Sequence, residues 1–195
     1  MRFRATTRAL CALAVVSATL TTSCSLLESE ATVKQRQFAT LMQRPDLDQA
    51  ISHYGEMLTT IRTQLSMTFP RFSWSVRQQE GRAGCGADFD EVNRRLSAHD
   101  AQTAGLPTWA SKGGFTDEEW ARAVAIVGDI ARRYGFDVPQ LTVDRPGDHS
   151  IELSDRYKAS FTFSSAVNTS LLLITGCHLT PEAKRRGVPA SEATY

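Results

Sequence analysis

Leu47, Ile51, Tyr54, Leu58, Ile61 and Leu65 recur at alternating steps of four and three residues, which sets all six on one face of a helix. Asp46, just after Pro45, is placed to cap that helix, and Gln49 stands where it can answer from the third position. Pro70 ends the pattern. A second helix is better marked still. Thr116 and Glu119 form a capping-box pattern with Asp117 and Glu118 in the first turn. Trp120, Ala123, Val124, Val127, Ala131 and Tyr134 follow at helical spacing, Arg132 and Arg133 sit in the last turn, and Gly135 supplies a left-handed stop.

Elsewhere the chain alternates. Phe72, Trp74 and Val76 interleave with Ser73, Ser75 and Arg77, the mark of a half-buried strand. Residues 79–86 (QEGRAGCG) read as a loop, residues 88–96 as a short helix, and residues 106–112 as a strand interrupted near Pro107, with Trp109 as a core candidate. After the second helix come Leu141 and Val143, a turn at Arg145-Pro146-Gly147, then Ile151 and Leu153. Tyr157, Ala159, Phe161 and Phe163 alternate strictly with polar residues. A last strand spans 167–177, with Val167, Leu171, Leu173 and Cys177 on one face and Leu172 and Ile174 on the other. Clean alternation favours an antiparallel sheet with one wet face, and single-striped helices must cover the other. The predicted fold is α+β, a two-layer sandwich: an antiparallel sheet of about four to five strands covered on one face by two helices, in the order α-β-β-α-β-β-β. It occupies residues 45–179. Residues 180–195 show no apolar period and read as a disordered tail.

The amino terminus is of another kind. Arg2, Arg4 and Arg8 precede an uncharged run from Ala9 to Leu20. As a helix those residues would span roughly 18 Å, short of a hydrocarbon core of about 30 Å. A positive start, a short apolar middle and the small residues Thr21, Thr22 and Ser23 describe an export signal over residues 1–23. Cys24 follows at once, in the manner of a bacterial lipobox, although Thr21 stands where that pattern has Leu. Cys24 is therefore the predicted lipidation site. Two or more acyl chains give a stable anchor where one does not. Residues 24–44 then read as a lipid-anchored linker, with a weakly amphipathic stretch from Val33 to Met42 as a candidate short helix.

Composition narrows the classes. The full chain has 22 basic and 21 acidic residues; without the three arginines of the signal, 19 and 21 remain. No basic surface is left to favour nucleic acid. Of four cysteines, Cys11 leaves with the signal and Cys24 is the lipid site, so Cys85 and Cys177 remain. A pair in an exported domain is most simply a disulfide. The alternatives are two free thiols, or a metal held by Cys85, Cys177, His178 and His149, for which no C-x-x-C or H-x-x-x-H spacing speaks.

Catalytic patterns are sparse. There is no G-x-S-x-G and no S-x-x-K, and Asp148-His149-Ser150 places neighbours on opposite faces of a strand, where they cannot relay protons to one another. His53 reads as surface or rim, His99 as solvated, and His178 as a capped polar end. Asp88 with Asp90, or Glu118 with Glu119, are the nearest carboxylate pairs for glycosidase chemistry, but the latter belong to a helix start. Trp74, Trp109 and Trp120 fit apolar core stripes. No catalytic residue, metal ligand or cofactor is predicted.

Arg44-Pro45-Asp46 before the first long helix, Phe72-x-Trp74, Gly113-Gly-Phe-Thr-x-x-x-Trp120, Tyr134-Gly135 and Thr175-Gly-Cys-His178 stand in one order behind a lipobox-like start. In that order they resemble the LppA-like lipoprotein family of actinobacteria over roughly residues 24–179. The resemblance implies an anchored cell-envelope protein of unassigned activity, with recurrent cysteines that map onto Cys85 and Cys177. It carries over no catalytic residue. The expected function is a non-enzymatic binding or interaction module on the outer face of the cell membrane. It would be held there through lipid on Cys24 and meet an envelope protein or lipid partner. The polar sheet face (Ser73, Ser75, Arg77, Lys158, Ser160, Thr162), or Leu172 and Ile174 if exposed, are the candidate surfaces. An envelope hydrolase with an unfamiliar site, and a carrier of a lipid or small apolar solute, are the alternatives.

Overall fold

A computed structural model describes residues 28–93 and 100–190; the signal segment, Cys24, His99 and the last residues of the tail lie outside them. The chain is α+β, with a large antiparallel sheet and five helices among the described residues. In chain order they are α1 (Glu30–Met42), α2 (Leu47–Thr68), β1 (Ser75–Gln78), β2 (Gly81–Gly84), a 3-10 turn (Ala87–Phe89), α3 (Asp90–Asn93), β3 (Ala101–Gly105), β4 (Thr108–Lys112), α4 (Asp117–Arg133), β5 (Gln140–Arg145), β6 (Asp148–Ser154), β7 (Ser160–Ser165), β8 (Asn168–Ile174), β9 (His178–Leu179) and α5 (Pro181–Arg186).

Both long helices start as their sequences dictate. The Asp46 carboxylate accepts from the Gln49 N–H while the Gln49 side chain accepts from the Asp46 N–H, and Thr116 with Glu119 repeats the device on α4. Gly135 ends α4 at φ +90°, a backbone conformation that residues with a side chain rarely adopt. Of the predicted α2 stripe, all but Ile51 are fully buried, and Ile51 packs at the margin of the same core. Trp120, Ala123, Val127 and Ala131 face it from α4. The sheet contributes alternate residues: Ile151 pairs with Phe163 and Phe163 with Leu171, while Leu153 pairs with Phe161 and Phe161 with Leu173. Phe69, Phe72, Phe115, Trp120 and Phe163 close one end of this core, with ring centroids 4.5–6.3 Å apart.

The sheet is wider than the four to five strands predicted. Nine strand segments lie in the order β1-β4-β8-β7-β6-β5, with β3 paired to β2, β8 and β9. Gln78 pairs with Thr108 and Gly81 with Gly105, so β1–β2 runs as one interrupted strand along an interrupted β3–β4. Pro107 sits in the break, as a residue without an N–H should. Residues 79–86, predicted as loop, thus contain β2. Its Gly-Arg-Ala-Gly sequence is exposed throughout, so no apolar alternation marked it. Four segments, not three, follow α4 before β9. Tyr157 and Ala159 lead into β7 rather than lying in it, because Lys158 turns at φ +67°. Val167 stands in the β7–β8 turn, 83% exposed, and does not share the inner face with Leu171 and Leu173.

The ends are more ordered than predicted. The candidate helix at Val33–Met42 is present as α1, begins three residues earlier under a Ser29 cap and docks on the domain, and the predicted tail contains α5, capped by Thr180 with Pro181 at its first position. Phe38 and Leu41 of α1 and Ala183 of α5 are buried with Phe89, Val92, Ala101, Cys177 and Leu179 in a second, smaller core. Lys34 donates to the carbonyl of Ala190, and Ala190 N–H to the Asp100 carboxylate at 2.8 Å. These segments lack a long apolar stripe, yet two or three buried side chains each suffice to dock them. Cys85 and Cys177 form a disulfide that pins the segment after β2 to the start of β9 and borders this second core.

Candidate functional site

A cavity of about 680 Å³ opens where the first half of α2, the end of α4 and the β6–β7 turn meet. Its walls are Pro45, Gln49, Ala50, His53 and Tyr54 from one side, Tyr134 and Gly135 from another, and Asp155, Arg156 and Tyr157 from the third. The volume falls within the usual range of small-molecule sites, and the mix of aromatic surface with a few polar groups is typical of them.

Local sequence builds each wall. Asp155 folds the turn: its Oδ1 accepts from the N–H groups of Tyr157 (2.8 Å) and Ala159 (2.9 Å). Its Oδ2 accepts from the buried Tyr54 hydroxyl at 2.5 Å. Burial, then the hydrogen bond and charge of Asp155, push the Tyr54 hydroxyl far above its ordinary value, so it stays a proton donor. Behind the turn, Gly176 lies so close that a Cβ there would stand 1.8 Å from the Tyr157 carbonyl oxygen; only glycine permits this approach. Arg44 reaches in from the α1–α2 joint and donates to the carbonyls of Tyr157 (3.2 Å) and Cys177 (2.9 Å). His178, fully buried, donates from Nδ1 to the Pro45 carbonyl at 2.9 Å and packs edge-on against Tyr157. Its Nε2 has no partner, and burial first of all lowers its pKa.

Three of the sequence motifs therefore meet here: Arg44-Pro-Asp46, Tyr134-Gly135 and Thr175-Gly-Cys-His178. Tyr54 belongs to a predicted core stripe, His53 to a predicted rim and Tyr157 to the alternation read as a strand, but Asp155 and Arg156 carry no signal in the sequence. The rim His53 lies at ring-contact distance from Tyr134 (5.0 Å) and donates to its carbonyl at 3.3 Å.

The other predicted candidates lie elsewhere. His149 is buried, and its Nδ1 and Nε2 each stand 2.9 Å from a carboxylate oxygen, of Asp144 and Asp117 respectively. Carboxylates only accept, so both ring nitrogens donate, and the charged imidazolium fits this setting. Burial pulls its pKa down, but the bonds to Asp117 and Asp144 outweigh it and the net shift is upward. The ring stacks on Trp120 (5.3 Å, 14°) and ties the start of α4 to the β5–β6 hairpin. Both nitrogens are engaged, which leaves none to act as a base. Glu119 pairs with Arg71 at 2.5 Å, and Asp88 with Lys158. Trp74 donates to Ser66 and, with Phe72, Met67 and Arg62, lines a shallower groove of about 580 Å³ beside α2. Trp109 carries the Arg62 guanidinium 3.5 Å above its ring. Leu172 and Ile174 are exposed, at 37% and 46%, on the outer sheet face. Cross-strand neighbours Thr162 and Ser160 separate them from other apolar surface on the β7 side.

No helix among the described residues is long and apolar enough to cross a membrane. A family model described as LppA, a lipoprotein confined to pathogenic Mycobacterium, matches residues 27–181. A solved structure described as the lipoprotein LppA of Mycobacterium tuberculosis superposes with a TM-score of 0.64 at 14% identity, over 85% of this chain and 95% of that one. A DUF4853 family protein from Actinomyces odontolyticus superposes with a TM-score of 0.53, also at 14% identity, over 71% of this chain and 72% of its own. At such identity these two show a shared fold. No curated protein matches.

Proposed function

The chain belongs to the LppA lipoprotein family, and on that premise we propose a cell-envelope binding module, anchored through lipid on Cys24 to the outer face of the membrane, whose ligand enters the cavity between α2, α4 and the β6–β7 turn. Only residues 25–29 separate Cys24 from α1, a reach of at most about 20 Å. Such a tether keeps the folded body near the bilayer and raises its effective concentration toward anything else held there.

The observation that carries the non-enzymatic reading is that Asp155, the only carboxylate among the described residues that line the cavity, is engaged by the fold. Both Asp155 oxygens accept hydrogen bonds from the fold itself, and the Tyr54 hydroxyl that might have served as an acid or nucleophile is bound to one of them. His53 donates to a carbonyl. A site that turns over substrate needs a base and a nucleophile or acid held together within reach; here the carboxylate and the hydroxyl bound to it are committed to the fold.

The Cys24→Ala variant, expressed in the native host, tests the anchor: the domain should leave the membrane fraction, and continued retention would overturn that part. Isolated envelope incubated with the purified protein tests the other. Its composition by mass spectrometry should be unchanged, and a product that disappears with Tyr54→Phe would establish catalysis instead.

A further inference from the structure

The polar groups that face the cavity divide unevenly. The side-chain oxygens that could only accept are engaged: Asp155 holds Tyr54 and two backbone N–H groups, and the Gln49 side-chain amide oxygen accepts from the Asp46 N–H; the Nδ1 of the exposed rim His53 is the acceptor left without a bond among the described residues. The donors are largely not engaged. Of the five N–H groups of Arg156, the fold uses one, from Nη2 to the Tyr157 hydroxyl at 2.7 Å. No ion pair links Arg156 to a carboxylate among the described residues; its guanidinium lies over the Tyr157 ring, 4.7 Å from the centroid. The amide NH₂ of Gln49 makes no hydrogen bond among the described residues, and the Tyr157 hydroxyl, which accepts from Arg156, keeps its own proton to give. The rest of the lining includes apolar surfaces, Pro45, Ala50 and the Tyr134 ring.

We infer that the cavity binds a small organic anion, with an apolar ring or chain against Pro45, Ala50 and Tyr134 and a carboxylate or phosphate on the Arg156 guanidinium. This rests on the reading of the cavity as the ligand site and adds the ligand's chemistry. A planar guanidinium with unpaired N–H groups suits both anions, since it meets either through two parallel hydrogen bonds. Asp155 does not repel the anion strongly, because its charge is held by Tyr54 and two backbone N–H groups and is offset by the nearby charge of Arg44. A neutral ligand of the same shape would leave Arg156 unanswered, and a cation would meet it directly.

Three probes of one shape separate the possibilities: phenylacetate, phenyl phosphate and the uncharged phenylacetamide. Each is titrated by ligand-observed NMR against the mature lipoprotein in dodecyl maltoside, with micelles alone as the blank. The inference expects one or both anions to bind roughly tenfold more tightly than the amide, and Arg156→Gln to erase that preference. The stronger of the two anions identifies the group the site takes. Arg77→Gln, on a distant exposed strand position, should change nothing. The thermal midpoint of Arg156→Gln should match the wild type, since its side chain is exposed. Equal binding of all three probes, unaffected by Arg156→Gln, would overturn the anion while leaving the cavity as a ligand site. Absence of binding by any probe would overturn both.

Discussion

Removal of the disulfide should destabilise the domain in a predictable amount and in a predictable place. Cys85 and Cys177 are 92 residues apart, and the chain-entropy relation gives about 4.6 kcal/mol at 25 °C for a loop of that size. Measured values for native disulfides more often fall at about 2–4 kcal/mol. With a urea slope of about 2 kcal/mol/M, the midpoint should drop by roughly 1–2 M. The slope itself should rise, because the unfolded chain loses its largest loop and expands. Cys85→Ala/Cys177→Ala without reductant, and the wild type with it, should agree, since the contribution lies in the link more than in the sulfur atoms. Hydrogen exchange then gives the place. The bond borders the core formed by Phe38, Leu41, Phe89, Val92, Leu179 and Ala183, so amides of α1, β9 and α5 should lose protection first, while α2, α4 and β6–β8 keep theirs. An unchanged midpoint, or loss of protection centred on the main core, would refute the reasoning.

Three further perturbations follow from single contacts. Tyr54→Phe leaves Asp155 Oδ2 without its donor in a buried setting and should cost about 1.5–3 kcal/mol in urea unfolding; a change below about 0.5 kcal/mol would show that the bond contributes little. Gly176→Ala drives a methyl group into the Tyr157 carbonyl, a backbone atom that no rotamer can move aside, and should cost about 1–3 kcal/mol while displacing the turn that carries Arg156. His149, whose pKa is raised in the fold, contributes stability that is fully present below its ordinary value of about 6.5 and is lost as pH rises through the raised value. The stability gap between wild type and His149→Gln should therefore narrow from pH 6 to pH 9, and parallel pH profiles would contradict the assignment. His178 acts in the opposite sense: its pKa is lowered, so its contribution is present above about 6.5 and falls as pH drops toward the lowered value.

The two long helices were legible down to their caps because local signals and tertiary packing agree there: an acid or hydroxyl at the start, six apolar residues on one stripe, a glycine at the end of α4. The inner face of β6–β8 was legible for the same reason, since Ile151, Phe161, Phe163, Leu171 and Leu173 alternate with polar residues. β2 and β3 were not. Gly81-Arg-Ala-Gly84 buries nothing and exists as a strand only because β3 offers it a ladder. α1 is marked only by a weak amphipathic stretch, Val33 to Met42, and α5 not at all, because Phe38, Leu41 and Ala183 are too few to make a periodic stripe; yet they dock against a core that Phe89, Leu179 and the disulfide supply from far along the chain. The cavity was the least visible. Pro45, Tyr134 and Arg156 are scattered over more than a hundred residues, each at the end of an element, where no periodicity applies. The motifs that converge on it could be listed in order from the sequence, but their meeting place depends on how α2, α4 and the β6–β7 turn come together.

The central claim is that this fold is held at a membrane by acyl chains on one sulfur, and the amino-terminal peptide of the mature protein tests it most directly. Protein purified from membranes of the native host and cut with trypsin should yield residues 24–34 as its first peptide, with Cys24 at the amino terminus and carrying the mass of a diacylglyceryl group. A first residue other than Cys24, or an unmodified Cys24 in the membrane-bound protein, would contradict the account.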